Sequence, residues 1–191
     1  SARYAGSPGR TGPLSERMVE LIYVGLDASS SHLFESGLHT HMKRAFEVGA
    51  TPADVVDVLH LVAVQGVASV GQASEIVAEL SALAGTASIS PALQARVDRL
   101  GAPHALQLAA LAQLDPGYAE VLLDFIEQGR PAAGLTEAER TLVQLALHAC
   151  FTAFNPGAVR QIVSHALAQG LAPTEMLQAI QLGAHLAVHG S

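Results

Sequence analysis

Nine histidines and seventeen acidic side chains are spread along 191 residues, but few of them stand at spacings that support chemistry. His41 is the most informative. On a helix over 31–48, at about 100° per residue, Phe34, Leu38, Ala45 and Val48 form an apolar stripe with His41 near its centre. A histidine there either hydrogen-bonds inside the core or lines a pocket as a general acid/base tuned by burial and a carboxylate. Glu20 is the natural carboxylate. It is the one charge between Met18 and Leu26, in a helix apolar almost all round, where an unpaired carboxylate would be costly. Its other reading is an edge position paired with Arg17 three residues earlier. A second group comprises His32, Glu35 and His39, whose spacings of three and four put them on one helical face away from the His41 stripe. Two imidazoles and a carboxylate suit one divalent metal with open positions for hydrolysis or metal-assisted decarboxylation; the other reading is a solvated polar face. His39 is also a candidate catalytic residue beside His41 and Glu20. Arg17, Lys43, Arg44 and His60 are candidates for holding an anionic substrate. His148, His165, His185 and His189 read as structural, and Cys150 as a packed, inert thiol.

Helices must position these groups, because period-two alternation never lasts and helical punctuation is frequent. The pattern predicts helices near 14–28, 31–48, 52–66, 70–84, 92–100, 103–113, 117–129, 136–154, 157–169 and 173–189. Gly49 can take the left-handed cap. Thr51, Pro52 and Asp54 then restart a helix as cap, first-turn proline and acidic complement to the positive helix end. Gly170, Pro173 and Glu175 repeat that logic with Ala172 in place of the capping threonine. Asn155-Pro156 and Asp115-Pro116 are further starts. Residues 1–13, rich in Gly and Pro, read as a flexible arm.

The helices also repeat. An ungapped shift of 121 residues aligns Leu14 with Leu135, Leu21 with Leu142, Leu26 with Leu147, Ala45 with Ala166, Gly49 with Gly170, Pro52 with Pro173 and Leu61 with Leu182. Cap residues landing in register with apolar faces argue for two diverged copies of one unit, each burying its face against the other. The division expected is an arm over 1–13, a first repeat over 14–84, a connection over 85–115 and a degenerate second repeat over 116–191. Glu20 and His41 meet Thr141 and Ile162, so an acid/base site of this kind belongs to the first copy.

Composition narrows the function. Half of the residues are hydrophobic and 14% are charged, well below about a quarter in an ordinary domain. So little charge suggests a surface partly covered by other subunits. A formal net charge of −7 argues against nucleic acid or an anionic membrane as partner. The longest uncharged apolar stretch, Val58–Ala73, is interrupted by His60, Gln65, Ser69 and Gln72 and is too short to span a bilayer. One cysteine excludes an internal disulfide and suits a reducing cytoplasm.

Leu14 and Glu20 on one helix, then His41, Ala45, Gly49 and Asp54 at their spacings, resemble the carboxymuconolactone decarboxylase family, which shares its fold with AhpD-type alkylhydroperoxidases. Leu114 to Phe125 resembles that family's lead-in helix. The resemblance covers most of the chain as two copies. It implies an all-α, AhpD-like helical bundle, a tandem repeat packed as a pseudo-dimer, and a homo-oligomer (dimer, trimer or hexamer). It also implies a lyase acting on a small anionic ring-derived acid or lactone by acid/base chemistry at His41 and Glu20, with no cofactor. The peroxidase branch carries Cys-x-x-Cys ahead of the histidine. The matching positions here are Phe34 and Gly37, so thiol peroxidase activity is not expected. The metal-dependent hydrolase or lyase stays open as an alternative, expecting about one divalent metal per chain lost in His39→Ala. So does a non-catalytic helical scaffold or small-ligand binder.

Overall fold

In a computed structural model the chain is described over residues 9–81, 89–101 and 103–185. The end of the expected helix over 70–84, the start of the connection over 85–115, the tail beyond His185 and residues 1–8 of the arm lie outside that range. The helices are α1 (Glu16–Ala28), α2 (Glu35–Glu47), α3 (Pro52–Val64), α4 (Gly66–Ser81), α5 (Pro91–Arg99), α6 (His104–Leu114), α7 (Pro116–Gln128), α8 (Glu137–Ala149), α9 (Pro156–Ala168) and α10 (Pro173–His185). No strand occurs among the described residues. All ten expected helices are present, and the fold class is all-α.

Two compact units emerge. One joins residues up to Ala63 with Pro131 onward, the other runs from Val64 to Arg130. This division differs from repeats over 14–84 and 116–191, because α4–α7 build a core of their own. In that unit Val67, Leu93, Val97, Leu108, Leu111, Leu123 and Ile126 pack together. Gly71 lets α4 approach the backbone of α6, where a Cβ would stand 2.2 Å from the Gln107 carbonyl oxygen. By composition the run Pro52–Ser81 is long and apolar enough to pass as a bilayer crossing, wider than the Val58–Ala73 stretch; half of its window is buried in the protein, as in a core helix.

The larger unit holds α1–α3 and α8–α10, and their bounds correspond at the constant shift of 121 residues. The two central helices are α1, buried continuously from Met18 to Asp27, and α8, buried over most of its length. Side-chain caps start both: Ser15 accepts from the Met18 N–H, and Thr136 forms a capping box with Glu139. α2 and α9 end alike. Gly49 and Gly170 adopt φ of +98° and +81°, and the next N–H returns to Ala45 and Ala166 at 2.8 and 3.0 Å. Thr51 and Asp54 cap α3 reciprocally, at 3.1 and 2.7 Å.

Contacts between the two triplets are reciprocal. The Leu14 N–H donates to Gln178 Oε1 at 2.8 Å, and the Leu135 N–H donates to Asp57 Oδ2 at 3.0 Å. Leu135 and Gln178 are the shift partners of Leu14 and Asp57. Ser31 Oγ meets Thr152 Oγ1, its own shift partner, at 2.9 Å. Such exchange is the signature of an isologous, pseudo-two-fold packing.

α4 starts at Gly66 rather than 70, and two helices of the larger unit are shorter than the periodicity predicts. α2 starts at Glu35 rather than 31, and α8 stops at Ala149 rather than 154. In both halves the chain turns out of the helix and folds back. The Phe34 N–H donates to the Asp27 carbonyl and the Asn155 N–H to the His148 carbonyl, each at 2.9 Å. Leu33 takes a left-handed φ of 38° in the first of these turns. Cys150 is consequently a buried helix cap, and Phe151 and Phe154, beyond the helix end, are exposed. The arm differs as well: Gly9 is buried and its carbonyl accepts from Gln178 Nε2 at 2.7 Å.

Asp57 anchors this packing. It is fully buried, takes the Leu135 N–H on one oxygen and the Arg140 guanidinium on the other. Asp57→Ala leaves Arg140 facing the interior uncompensated, at an expected cost of about 3 kcal/mol. A clear drop in the urea midpoint at unchanged m-value is the expected outcome; an unmoved midpoint contradicts this role.

Candidate active site

Burial of Glu20 organises the site. The helix that carries it is apolar all round, so the carboxylate sits 2% exposed and must find its partners inside. Three cations or donors converge on it. His41 Nδ1 lies 2.6 Å from Oε2, while Arg10 Nη2 and Arg44 Nε reach Oε1 at 2.6 and 3.1 Å. Each comes from a different place: His41 and Arg44 from consecutive turns of α2, Arg10 from the segment before α1. The Tyr23 ring, one turn beyond Glu20, stacks on the His41 imidazole at 4.6 Å and 18°. The Arg10 guanidinium lies over the same ring, 5.6 Å from its centroid.

The electrostatics follow from these contacts. Burial works to raise the Glu20 pKa, but the His41 hydrogen bond and the charges of His41, Arg10 and Arg44 outweigh it and hold the carboxyl below its ordinary value. An ionised Glu20 only accepts, so the bridging proton sits on Nδ1 of His41. The Nε2 edge of the ring is thereby left for other chemistry. It points to Asp27 Oδ2, 3.9 Å away. Asp27 is 2% exposed, and burial, with a further push from Glu20 and opposed by His41, raises its carboxyl to about 6. Burial likewise raises the Tyr23 phenol, against the pull of Arg10.

Of the residues singled out in sequence, the structure brings Glu20, His41 and Arg44 together. Arg17 goes elsewhere: it pairs with Asp54 at 2.9 Å and Glu139 at 2.5 Å, so it neither neutralises Glu20 nor is free to hold substrate. His60 is buried on α3. His32, Glu35 and His39 do not converge. His32 lies in the turn before α2, with Nε2 3.7 Å from Asp27 Oδ1, while Glu35 and His39 are exposed on the helix. Because α2 starts only at Glu35, the expected common face does not exist, and among the described residues no group of three or more His, Cys, Asp or Glu is placed to hold a metal ion. The exposed His39 is also remote in character from the buried Glu20–His41 pair.

Three members were missed in sequence: Arg10, Tyr23 and Asp27. Glu20, Tyr23 and Asp27 share one face of α1 at spacings of three and seven, a legible signal. Arg10 carries no such signal, since Gln178 pins the segment that delivers it. In the second half the matching positions are Thr141, Gln144, His148, Ile162 and His165, so this constellation exists once.

No family model matches the chain, and no curated protein does. Among solved structures, one similar protein comes from Burkholderia xenovorans LB400, and its assignment as a gamma-carboxymuconolactone decarboxylase subunit is itself provisional. The TM-score is 0.84 at 22% identity, over 98% of this chain and 78% of the other. That likeness establishes the fold, an all-α architecture of the carboxymuconolactone decarboxylase and AhpD-like type.

The raised Asp27 carboxyl has a signed consequence for stability. Between its ordinary value of 3.8 and about 6, the folded state keeps a proton that the unfolded chain has released. Stability falls as pH rises through that window, and the loss is complete above it. Asp27→Asn is therefore expected to melt several degrees higher than the unmodified protein at pH 8, with the advantage gone near pH 4. Parallel thermal melts across pH check this; a constant difference contradicts it.

Proposed function

We propose that the chain is a decarboxylase-type lyase acting on a small, anionic, ring-derived acid or lactone. The observation that carries this reading is the buried Glu20–His41 pair, with Nδ1 engaged at 2.6 Å and Nε2 turned towards a second carboxyl. The fold shared with the Burkholderia protein agrees with it. His41 is the acid/base, and Glu20 fixes its tautomer and orientation. Arg44, half exposed and using only Nε on Glu20, and Arg10 supply positive charge for a substrate carboxylate. In the proposed step the bond to the departing carboxylate breaks and CO₂ leaves. The electron pair moves into the carbonyl system of the ring, and the carbon or its enolate takes a proton from His41 Nε2. Nothing in this step calls for a cofactor. A dithiol cycle is not part of the reading, because the single cysteine, Cys150, has no second thiol in the chain.

We also infer that α1–α3 and α8–α10 descend from one duplicated unit, of which only the first kept the site. The constant shift of 121 residues in the helix bounds and the reciprocal Leu14–Gln178 and Leu135–Asp57 bonds support this. Large apolar side chains are exposed at matching positions of both halves: Leu33 with Phe154, Phe46 with Leu167, and Val56 with Leu177. Two equivalent apolar patches favour self-assembly, and light scattering is expected to give a mass of two or more chains.

The decisive assay is CO₂ release from gamma-carboxymuconolactone and a panel of ring-derived keto acids. His41→Ala and Glu20→Gln are expected to lower kcat/KM about 100-fold or more with helicity unchanged, and Cys150→Ser to leave it unchanged. Full turnover in both site variants sinks the proposal. No turnover by the unmodified protein, with site variants that change stability alone, returns the chain to a non-catalytic scaffold.

A further inference from the structure

Asp27 is the part of the site that its neighbours leave unfinished. Glu20 is saturated by His41, Arg10 and Arg44, but Asp27 Oδ2 is buried with no hydrogen-bond partner among the described residues, and so is His32 Nε2. The two imidazoles flank the two oxygens of this one carboxyl: His41 Nε2 stands 3.9 Å from Oδ2, and His32 Nε2 3.7 Å from Oδ1. Both gaps exceed hydrogen-bond length, yet a sub-ångström side-chain shift or a single water closes either. Buried polar atoms are costly to leave without partners, so each of these calls for a physical explanation. Gly37 keeps the place open. A Cβ there would stand 2.5 Å from Asp27 Oδ2 and 2.3 Å from the Phe34 ring.

We propose that Asp27 is a proton relay, passing protons from His32 to Nε2 of His41. This rests on the reading of His41 as the acid/base above. Decarboxylation of a carboxylate consumes one proton per turnover, since the carbon that loses CO₂ must gain a hydrogen. After Nε2 of His41 has given its proton to the product, the ring is neutral. The Asp27 carboxyl then transfers its proton to Nε2 and becomes a carboxylate. The His32 imidazolium restores that proton from Nε2, and its partly exposed ring regains one from solvent by turning that nitrogen outwards. Side-chain exposure rises along this path, from 3% at Asp27 to 17% at His32. The groups facing Asp27 are Glu20 and Tyr23 from its own helix, His41 and Gly37 from α2, and His32 and Phe34 from the turn. A carboxyl that ionises at about 6 can both hold and release a proton near neutral pH. Asp27 acts through His41 and is a positioning and relay residue rather than a catalytic one.

The test uses the full chain with ¹⁵N-labelled histidine and needs no substrate. The ring nitrogens of His32 and His41 are followed from acid to alkaline pH in the unmodified protein, Asp27→Asn and His32→Gln. A relay makes both rings follow the ionisation of the Asp27 carboxyl, a response absent from both in Asp27→Asn and kept by His41 in His32→Gln. Superimposable His41 curves with and without Asp27 overturn the proposal. Should Asp27→Asn not fold, ¹³C-labelled aspartate in the unmodified chain replaces it: separate inflections for the Asp27 carboxyl and His41 Nε2 overturn the proposal equally. If gamma-carboxymuconolactone is turned over, His32→Gln is expected to slow turnover about tenfold in dilute buffer and to recover it with added imidazole. Absence of turnover strikes the proposed function and leaves the relay to the titration; turnover with unlinked titrations strikes the relay alone.

Discussion

A carboxylate in the middle of an apolar helix is the constraint around which the larger unit is arranged. Glu20 has no water to solvate it, so its charge must be met by side chains that arrive from other segments. That requirement fixes the rotation of α2, which has to present both His41 and Arg44 inwards, and it draws the segment before α1 back over Tyr23 to deliver Arg10. The same requirement explains why Gln178 holds both ends of that segment, at the Gly9 carbonyl and the Leu14 N–H.

The two triplets of helices solve the same packing problem with different chemistry. Where Gln178 receives Leu14, Asp57 receives Leu135, and the Asp57 charge is answered by Arg140. Where the first triplet buries Glu20 and His41, the second buries Thr141 and Ile162. The Thr141 hydroxyl is satisfied within its own helix, donating to the Glu137 carbonyl at 2.8 Å, and Ile162 simply fills space. The second triplet is thus the cheaper core, and the first carries the polar network that a site requires.

Much of this was legible in sequence. Helix starts were marked by Thr51, Pro52 and Asp54, helix ends by Gly49 and Gly170, and the apolar stripe set His41 facing inwards. Illegible features depended on contacts distant from their own segment. The turns that shorten α2 and α8 are closed by the Phe34 and Asn155 N–H groups reaching back to Asp27 and His148, and Leu33 at φ 38° carries no glycine to announce its turn. His32 left the helix for that reason, and the grouping with Glu35 and His39 dissolved. Asp27 and Tyr23 were readable on the Glu20 face, but the apolar run that singles out Glu20 ends at Leu26, one residue short of Asp27. Arg10 had no signal, because its position is set by a glutamine 168 positions away.

The close approach at Gly37 also constrains how this sequence can change. In the resemblance to the AhpD-type peroxidases, positions 34 and 37 match those of the paired thiols. Any side chain at 37 meets both Asp27 and the Phe34 ring at contact distances that atoms do not sustain. Substitutions at the two positions are therefore coupled. A β-carbon at 37 requires the Phe34 ring and the Asp27 carboxyl to move aside. Thiol chemistry thus lies at least two substitutions from this sequence, and the one at 37 displaces the carboxyl that faces His41.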